Sequence, residues 1–153
     1  MKLLMAVSSD GFLATGPDDA MRWTGVTDKA IFRLLTLTTS DRPILVGRRT
    51  AGMLPRLHGR TIKMLSRHND RGLTLEDAEA MYPEAWLIGG PTIALEALRL
   101  HLVTLAVLCQ VPATLYQGIS VHEIAARLPV TPAHSISIGE IEVKLFIPHA
   151  GEA

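Results

Sequence analysis

The feature that most constrains this chain is a recurring junction. A short apolar run of strand length ends at a glycine or turn, and helix-forming residues follow at once. "KLLMAV" at 2–7 runs into "SSDGFLATGPDD", which carries loop residues, and "RPILVG" at 42–47 ends at Gly47 before "RRTAGML" begins as a helix. "TIKML" at 61–65 alternates towards a third strand. "AWLIGG" at 85–90 ends in a glycine pair, and Pro91 then opens "PTIALEALRL" at a first helical position. "LVTLAVLCQV" at 102–111 is a further strand. Continuous apolar runs suit strands buried on both faces, and helices between them give parallel neighbours. The last segment, "SISIGEIEVKLFI" at 135–147, alternates with period two on both sides of Gly139, which marks a hairpin. The expectation is one α/β domain over residues 1–153. It has a central, mostly parallel sheet, an antiparallel C-terminal hairpin and helices on both faces.

Three helices carry start signals. "TDKAIFRLLTLT" at 27–38 places Ile31, Leu34, Leu35 and Thr38 on one face, with Thr27 as N-cap. "TLEDAEAMY" at 74–82 opens on Thr74 and an acidic first turn. Ser120 and Glu123 form a capping-box pair ahead of "VHEIAARL". Asp28 stands four residues before Phe32, so helical spacing sets an acid and an aromatic on one side. Either Asp28 is a helix-start acid facing water, or it is a carboxylate held in an apolar pocket.

Composition narrows the function classes. The 153 residues are 48% hydrophobic and 20% charged, enough for one domain with a buried core. The formal net charge is zero, so no global field points to nucleic acid or a membrane surface. The single cysteine, Cys109, excludes an internal disulfide and suits a reducing compartment. The opening apolar run is too short for a signal peptide, and no run nears the roughly 20 residues of a membrane span. The expected setting is the cytoplasm, with a small molecule as partner. The balance is locally broken: Arg48, Arg49, Arg56, Arg60, Lys63, Arg67 and Arg71 hold seven of the fifteen basic residues against one acid, Asp70. Such a cluster points to an anionic ligand. The six histidines lack metal-ligand spacing, so no metal is expected. Cys109 lies mid-strand as a small hydrophobe, Trp86 is a core aromatic, and no serine sits in a G-x-S-x-G setting.

The junctions "ILVGRRT" and "WLIGGPT" carry the chemistry. Open parallel sheets bind ligands beyond the carboxyl ends of their strands, and helix starts there offer N–H groups to phosphates. Two such junctions suit two phosphate regions of one dinucleotide, although neither is a G-x-G-x-x-G fingerprint.

With these motifs in place the chain resembles dihydrofolate reductase. "AVSSDGFLA" (6–14), "AMRWTGVTDKAIF" (20–32), "PILVGRRT" (43–50), "LHGRTIKMLSR" (57–67) and "WLIGGPT" (86–92) follow that family's order and spacing. The resemblance implies NADPH-dependent reduction of dihydrofolate, with nicotinamide C4 set against pterin C6. It implies that Asp28 is the catalytic carboxylate, binding the pteridine edge and supporting protonation at N5. Phe32 would stack on the substrate, Ala6 would line the pocket shared by both rings, and Arg60 would take the folate glutamate carboxylate. Met5, Trp23, Leu57, Ile88 and Cys109 would complete the substrate site. On the cofactor, Arg48, Arg49 and Thr50 would meet phosphates, and Ser66 and Arg67 the 2′-phosphate. Gly47, Gly89 and Gly90 would lie against the backbone of the dinucleotide, with Leu13, Leu65, Ile88, Pro91 and Thr92 beside them.

Some residues depart from that pattern. "WTGVTD" replaces the more usual Trp-x-Leu-Pro-x-acid, Ala94 stands where an aromatic is common, and Cys109 lies near the position of a threonine that bonds the acid. These departures resemble the reductase domain of riboflavin biosynthesis, which "SSDGFLA", "GGPT" and "VPATLYQGI" (111–119) also echo. Three readings stand: a dihydrofolate reductase, a related NADPH-dependent pterin or pyrimidine reductase, and a non-catalytic nucleotide-binding module.

Overall fold

The computed structural model describes residues 1–37, 42–55, 57, 59–68 and 72–148. Along the chain the elements are β1 (Lys2–Val7), β2 (Phe12–Ala14), α1 (Gly25–Thr36), β3 (Ile44–Gly47), α2 (Arg48–Ala51), β4 (Ile62–Leu65) and α3 (Leu75–Met81). Then follow β5 (Trp86–Leu87), α4 (Pro91–Arg99), β6 (Leu105–Gln110), β7 (Ile119–Ser120), α5 (His122–Ala125), β8 (His134–Ile138) and β9 (Ile141–Phe146). The main sheet has the order β4-β3-β5-β1-β6-β9-β8. Its first five strands are parallel, and β9 and β8 return antiparallel. The β8–β9 turn passes through Gly139 at φ 58°, as the hairpin pattern requires.

Strand alternation sends successive side chains of β1 to opposite faces, and each face has its own core. Leu3 and Met5 pack with Leu45, Leu87 and Ala106 against Leu75 and Ala78 of α3, Ala94, Ala97 and Leu98 of α4, and Ile124 of α5. Leu4, Trp86, Val107, Cys109, Ile141 and Val143 pack against Ile31, Phe32 and Leu35 of α1. So α1 covers one face and α3, α4 and α5 cover the other. Each large aliphatic side chain buried in these layers is worth roughly 1.5–3 kcal/mol relative to exposure.

Several local expectations change. The helix starts at Gly25 rather than at Thr27, because a 3-10 turn at Arg22–Thr24 runs into it and the chain redirects at Gly25, φ 85°. Leu34 does not join the buried face: it is 72% exposed, since the face that meets the sheet runs through Ile31, Phe32 and Leu35. Thr38 lies outside the described residues. Ser120 takes the amide of His122 at 3.0 Å, so the Ser120–Glu123 capping box does not form and α5 is a single turn. Thr74 caps α3 as expected, accepting from Asp77 N–H at 3.1 Å. The segment expected to be wholly loop after β1 contains β2, which pairs antiparallel with β7. Gly118 allows this ribbon to close, since a Cβ there would collide with the Ala14 carbonyl oxygen. Among the described residues no helix is long and apolar enough to cross a membrane.

Candidate functional site

A cleft of about 870 Å³ opens at the carboxyl ends of β1, β5, β3 and β4. Met5 contributes from β1, and Ile88, Gly89 and Gly90 from beyond β5. Gly47, Arg48, Arg49 and Thr50 contribute from the β3–α2 junction, and Leu65, Ser66 and Arg67 from the end of β4. Leu13, Pro91 and Thr92 also face it, so every residue expected along the cofactor lines this one cleft except Ala6. Strand alternation is the reason: Met5 faces α4, and Ala6, its neighbour, faces α1.

The two glycine junctions touch each other. Gly47 N–H donates to the Gly89 carbonyl at 2.8 Å, and the Gly89–Gly90 peptide is cis. A Cβ at Gly90 would come within 3.1 Å of Thr50 Oγ1 and crowd it, and glycine leaves the backbone at this edge of the cleft uncovered. The junctions differ as helix starts. At four residues, α2 offers N–H groups but little dipole, whereas α4, capped by Gly90, runs for nine.

The basic cluster divides. Arg48, Arg49 and Arg67 line the cleft. Among the described residues the ion pairs are Met1–Glu79 and Lys2–Glu84, so none of the three arginines is in one. Arg60 instead reaches the end of α1, donating from Nε to Thr36 Oγ1 at 3.0 Å and from its terminal nitrogen to the Arg33 carbonyl at 3.3 Å. Lys63 is half-buried on β4, and Arg56, Asp70 and Arg71 lie outside the described residues. The wall is not uniformly basic, since Asp19, Glu76 and Glu96 also face it. An anionic ligand with polar, sugar-like parts suits such a mixture better than a bare polyanion.

On the α1 side of the sheet, Ala6 is paired in register with Cys109, and Asp28 of the helix is near enough for its charge to act on the Cys109 thiol. Burial pushes the Asp28 carboxyl above its ordinary value, while a Thr24 hydrogen bond and the Lys29 ammonium oppose that rise. The Cys109 thiol is pushed up to about 12, by burial first and the Asp28 charge second, and so stays protonated. Trp23, Phe32 and Ile88 are partly buried against the same cluster, and Ile88 also lines the cleft, so it sits where the two spaces meet. Leu57 is half-buried. Ala94, set at an aromatic position of the resembled pattern, is wholly buried in the opposite core.

Sequence reasoning missed Asp19 and Met21, which also line the cleft. The signal was present in "GPDDAM": a Gly-Pro turn followed by two acids favours side chain to backbone bonding. Nothing local identified Ile119, which reaches the cleft only because β7 pairs with β2.

No family model matches the chain, and no curated protein matches it. A crystal structure from Shewanella sp. PV-4, of a protein provisionally assigned to riboflavin biosynthesis, shares the fold. The TM-score is 0.67 over 95% of this chain and 97% of that one, at 15% identity. That likeness establishes the fold as an α/β single domain of the dihydrofolate-reductase-like type.

Proposed function

We propose that this chain is an NADPH-dependent reductase acting on a pterin or pyrimidine ring. The observation that carries the proposal is a half-buried carboxylate, Asp28, on one side of β1, with a glycine- and arginine-walled cleft on the other. The bare backbone at Gly47 and Gly90 and the arginines of the cleft fit a dinucleotide phosphate chain. Ser66 and Arg67 would hold its 2′-phosphate. NADPH, when bound, supplies the hydride. Asp28 would grip the N–H and amino edge common to pterins and aminopyrimidinones and, with its raised proton affinity, would support protonation of the ring. Phe32 and Trp23 would orient that ring.

Within this class the riboflavin assignment of the structural neighbour supports a pyrimidine-type substrate. A second reading, dihydrofolate, is favoured by Arg60, which docks at the end of α1 where a substrate tail leaving the Asp28 pocket would pass. The test is NADPH oxidation by the purified chain with 7,8-dihydrofolate and with an aminopyrimidinone, alongside titration of NADPH by fluorescence. Oxidation with either substrate supports the reductase. NADPH binding with no turnover on either would leave only a nucleotide-binding module, and absence of NADPH binding would remove the proposal altogether.

A further inference from the structure

The segment between β2 and α1 is tied by one carboxylate. Asp19 Oδ2 accepts from the Thr15 amide at 2.8 Å and from the Trp23 indole N–H at 2.7 Å, and Oδ1 accepts from the Met21 amide at 2.7 Å. Burial by itself would raise the Asp19 carboxyl, but these three donors together with the Thr15 hydroxyl outweigh it and hold it below its ordinary value. Met21 is held in the left-handed region at φ 60°, which residues other than glycine, asparagine and aspartate rarely adopt.

Met21 is pinned from its other end as well. Its carbonyl lies 3.0 Å from the Lys29 ammonium and 3.1 Å from the Thr24 hydroxyl, and Lys29 also donates to Thr24 Oγ1 at 2.9 Å. Thr24 is buried, and its hydroxyl is within reach of Asp28 too. A hydroxyl has one proton to give, so the Met21 carbonyl and Asp28 share a single donor. The Met21 peptide therefore stands between the cleft, which its side chain lines, and the hydrogen-bond partner of Asp28.

We propose that Asp19 is a positioning residue. By fixing the Met21 peptide, it sets the geometry at which the cofactor cleft meets the Asp28 pocket. The proposal rests on the reductase function proposed above. Asp19 lines the cleft wall, and the role proposed for it is indirect. It acts through Met21 and Trp23, which border the two spaces.

Asp19→Asn isolates the effect. One oxygen remains, but the new amide nitrogen is itself a donor and cannot accept from the groups that faced the lost oxygen. Asp18→Asn, at the exposed neighbouring acid, serves as control. Single-turnover reduction would be followed with NADPH and whichever of dihydrofolate or the aminopyrimidinone the wild type reduces. For Asp19→Asn the rate should fall by roughly 10- to 100-fold, the scale on which small misplacements act. The NADPH Kd should stay within about twofold, because the phosphate contacts lie on other elements. Amide exchange at Thr15 and Met21 should quicken in Asp19→Asn alone. A wild-type rate, unchanged exchange, or an equal loss of rate and NADPH affinity in Asp19→Asn would overturn the inference while leaving the reductase in place. A wild type that neither binds NADPH nor turns over would overturn both.

Discussion

Asp28→Asn makes two effects of one carboxylate separable. Asparagine keeps the size and an oxygen for the Thr24 hydroxyl, so the local hydrogen bonding survives, but charge and proton affinity are lost. No neighbour replaces them, since the Cys109 thiol, pushed up to about 12, stays neutral at physiological pH. The whole acid–base contribution should therefore disappear, a roughly 10²–10⁴-fold fall in turnover, or about 2.7–5.5 kcal/mol at 1.36 per tenfold. Stability should move the other way. Burial raises the folded-state Asp28 carboxyl above the ordinary 3.8, so its contribution to stability is full below 3.8 and is lost as pH rises through the folded value. The asparagine variant escapes that loss. Its Tm advantage over wild type should be near zero below pH 3.8 and should grow as pH rises through the folded value towards neutrality. Steady-state kinetics and thermal melts across this range would measure both. Wild-type turnover in Asp28→Asn would refute the catalytic role, and a Tm difference independent of pH would refute the buried charge.

Three further outcomes are expected. Arg67→Ala should weaken NADPH binding by roughly 10- to 150-fold, from about 1.5–3 kcal/mol per charge-assisted bond, with NADH hardly affected; equal losses in paired titrations would exclude a 2′-phosphate contact. Arg60→Ala should weaken glutamate-bearing folates far more than a bare pterin if the substrate is dihydrofolate, and a double-mutant cycle showing no coupling would favour the pyrimidine substrate. Thr74→Ala should cost about 1 kcal/mol by loss of the α3 cap, lowering Tm by roughly 2–4 °C; an unchanged melt would mean that the Asp77 amide finds another partner.

Much of the sheet could be read from local pattern because its strands are buried on both faces. β1 matches the run at 2–7, and the hairpin on Gly139 follows from period-two alternation. The cleft residues at 47–50 and 89–92 were legible for a related reason, since a glycine at a strand end restricts what can follow it, whereas Leu13, Leu65, Ser66 and Arg67 were placed only by the family resemblance. What escaped depends on contacts distant in sequence. β2 is a strand only because β7 comes to pair with it, and Leu34 faces outward because the sheet selects one of two apolar stripes on α1. Asp19 escaped for a third reason. Its role lies in which amides it gathers, and a composition of Gly, Pro and Asp marks a turn without saying which donors converge.

The placement of both pockets has one topological origin. The chain leaves β1 for α1 on one face of the sheet and leaves β5 for α4 on the other, and β1 and β5 are adjacent. A crevice must open where neighbouring connections part in this way, beyond the carboxyl ends of the two strands. β1 borders that crevice along its last turns of pleat, so Met5 enters one wall and Ala6, a single residue later, enters the other. Two ligands held on these walls are separated by little more than the thickness of one strand. On the reductase reading proposed above, a small side chain at position 6 would leave room for two rings to approach each other across the strand. Met21, which also lines the cleft, adds a third wall to this crevice, and on the reductase reading proposed above the three walls would bring the cofactor cleft up to Asp28.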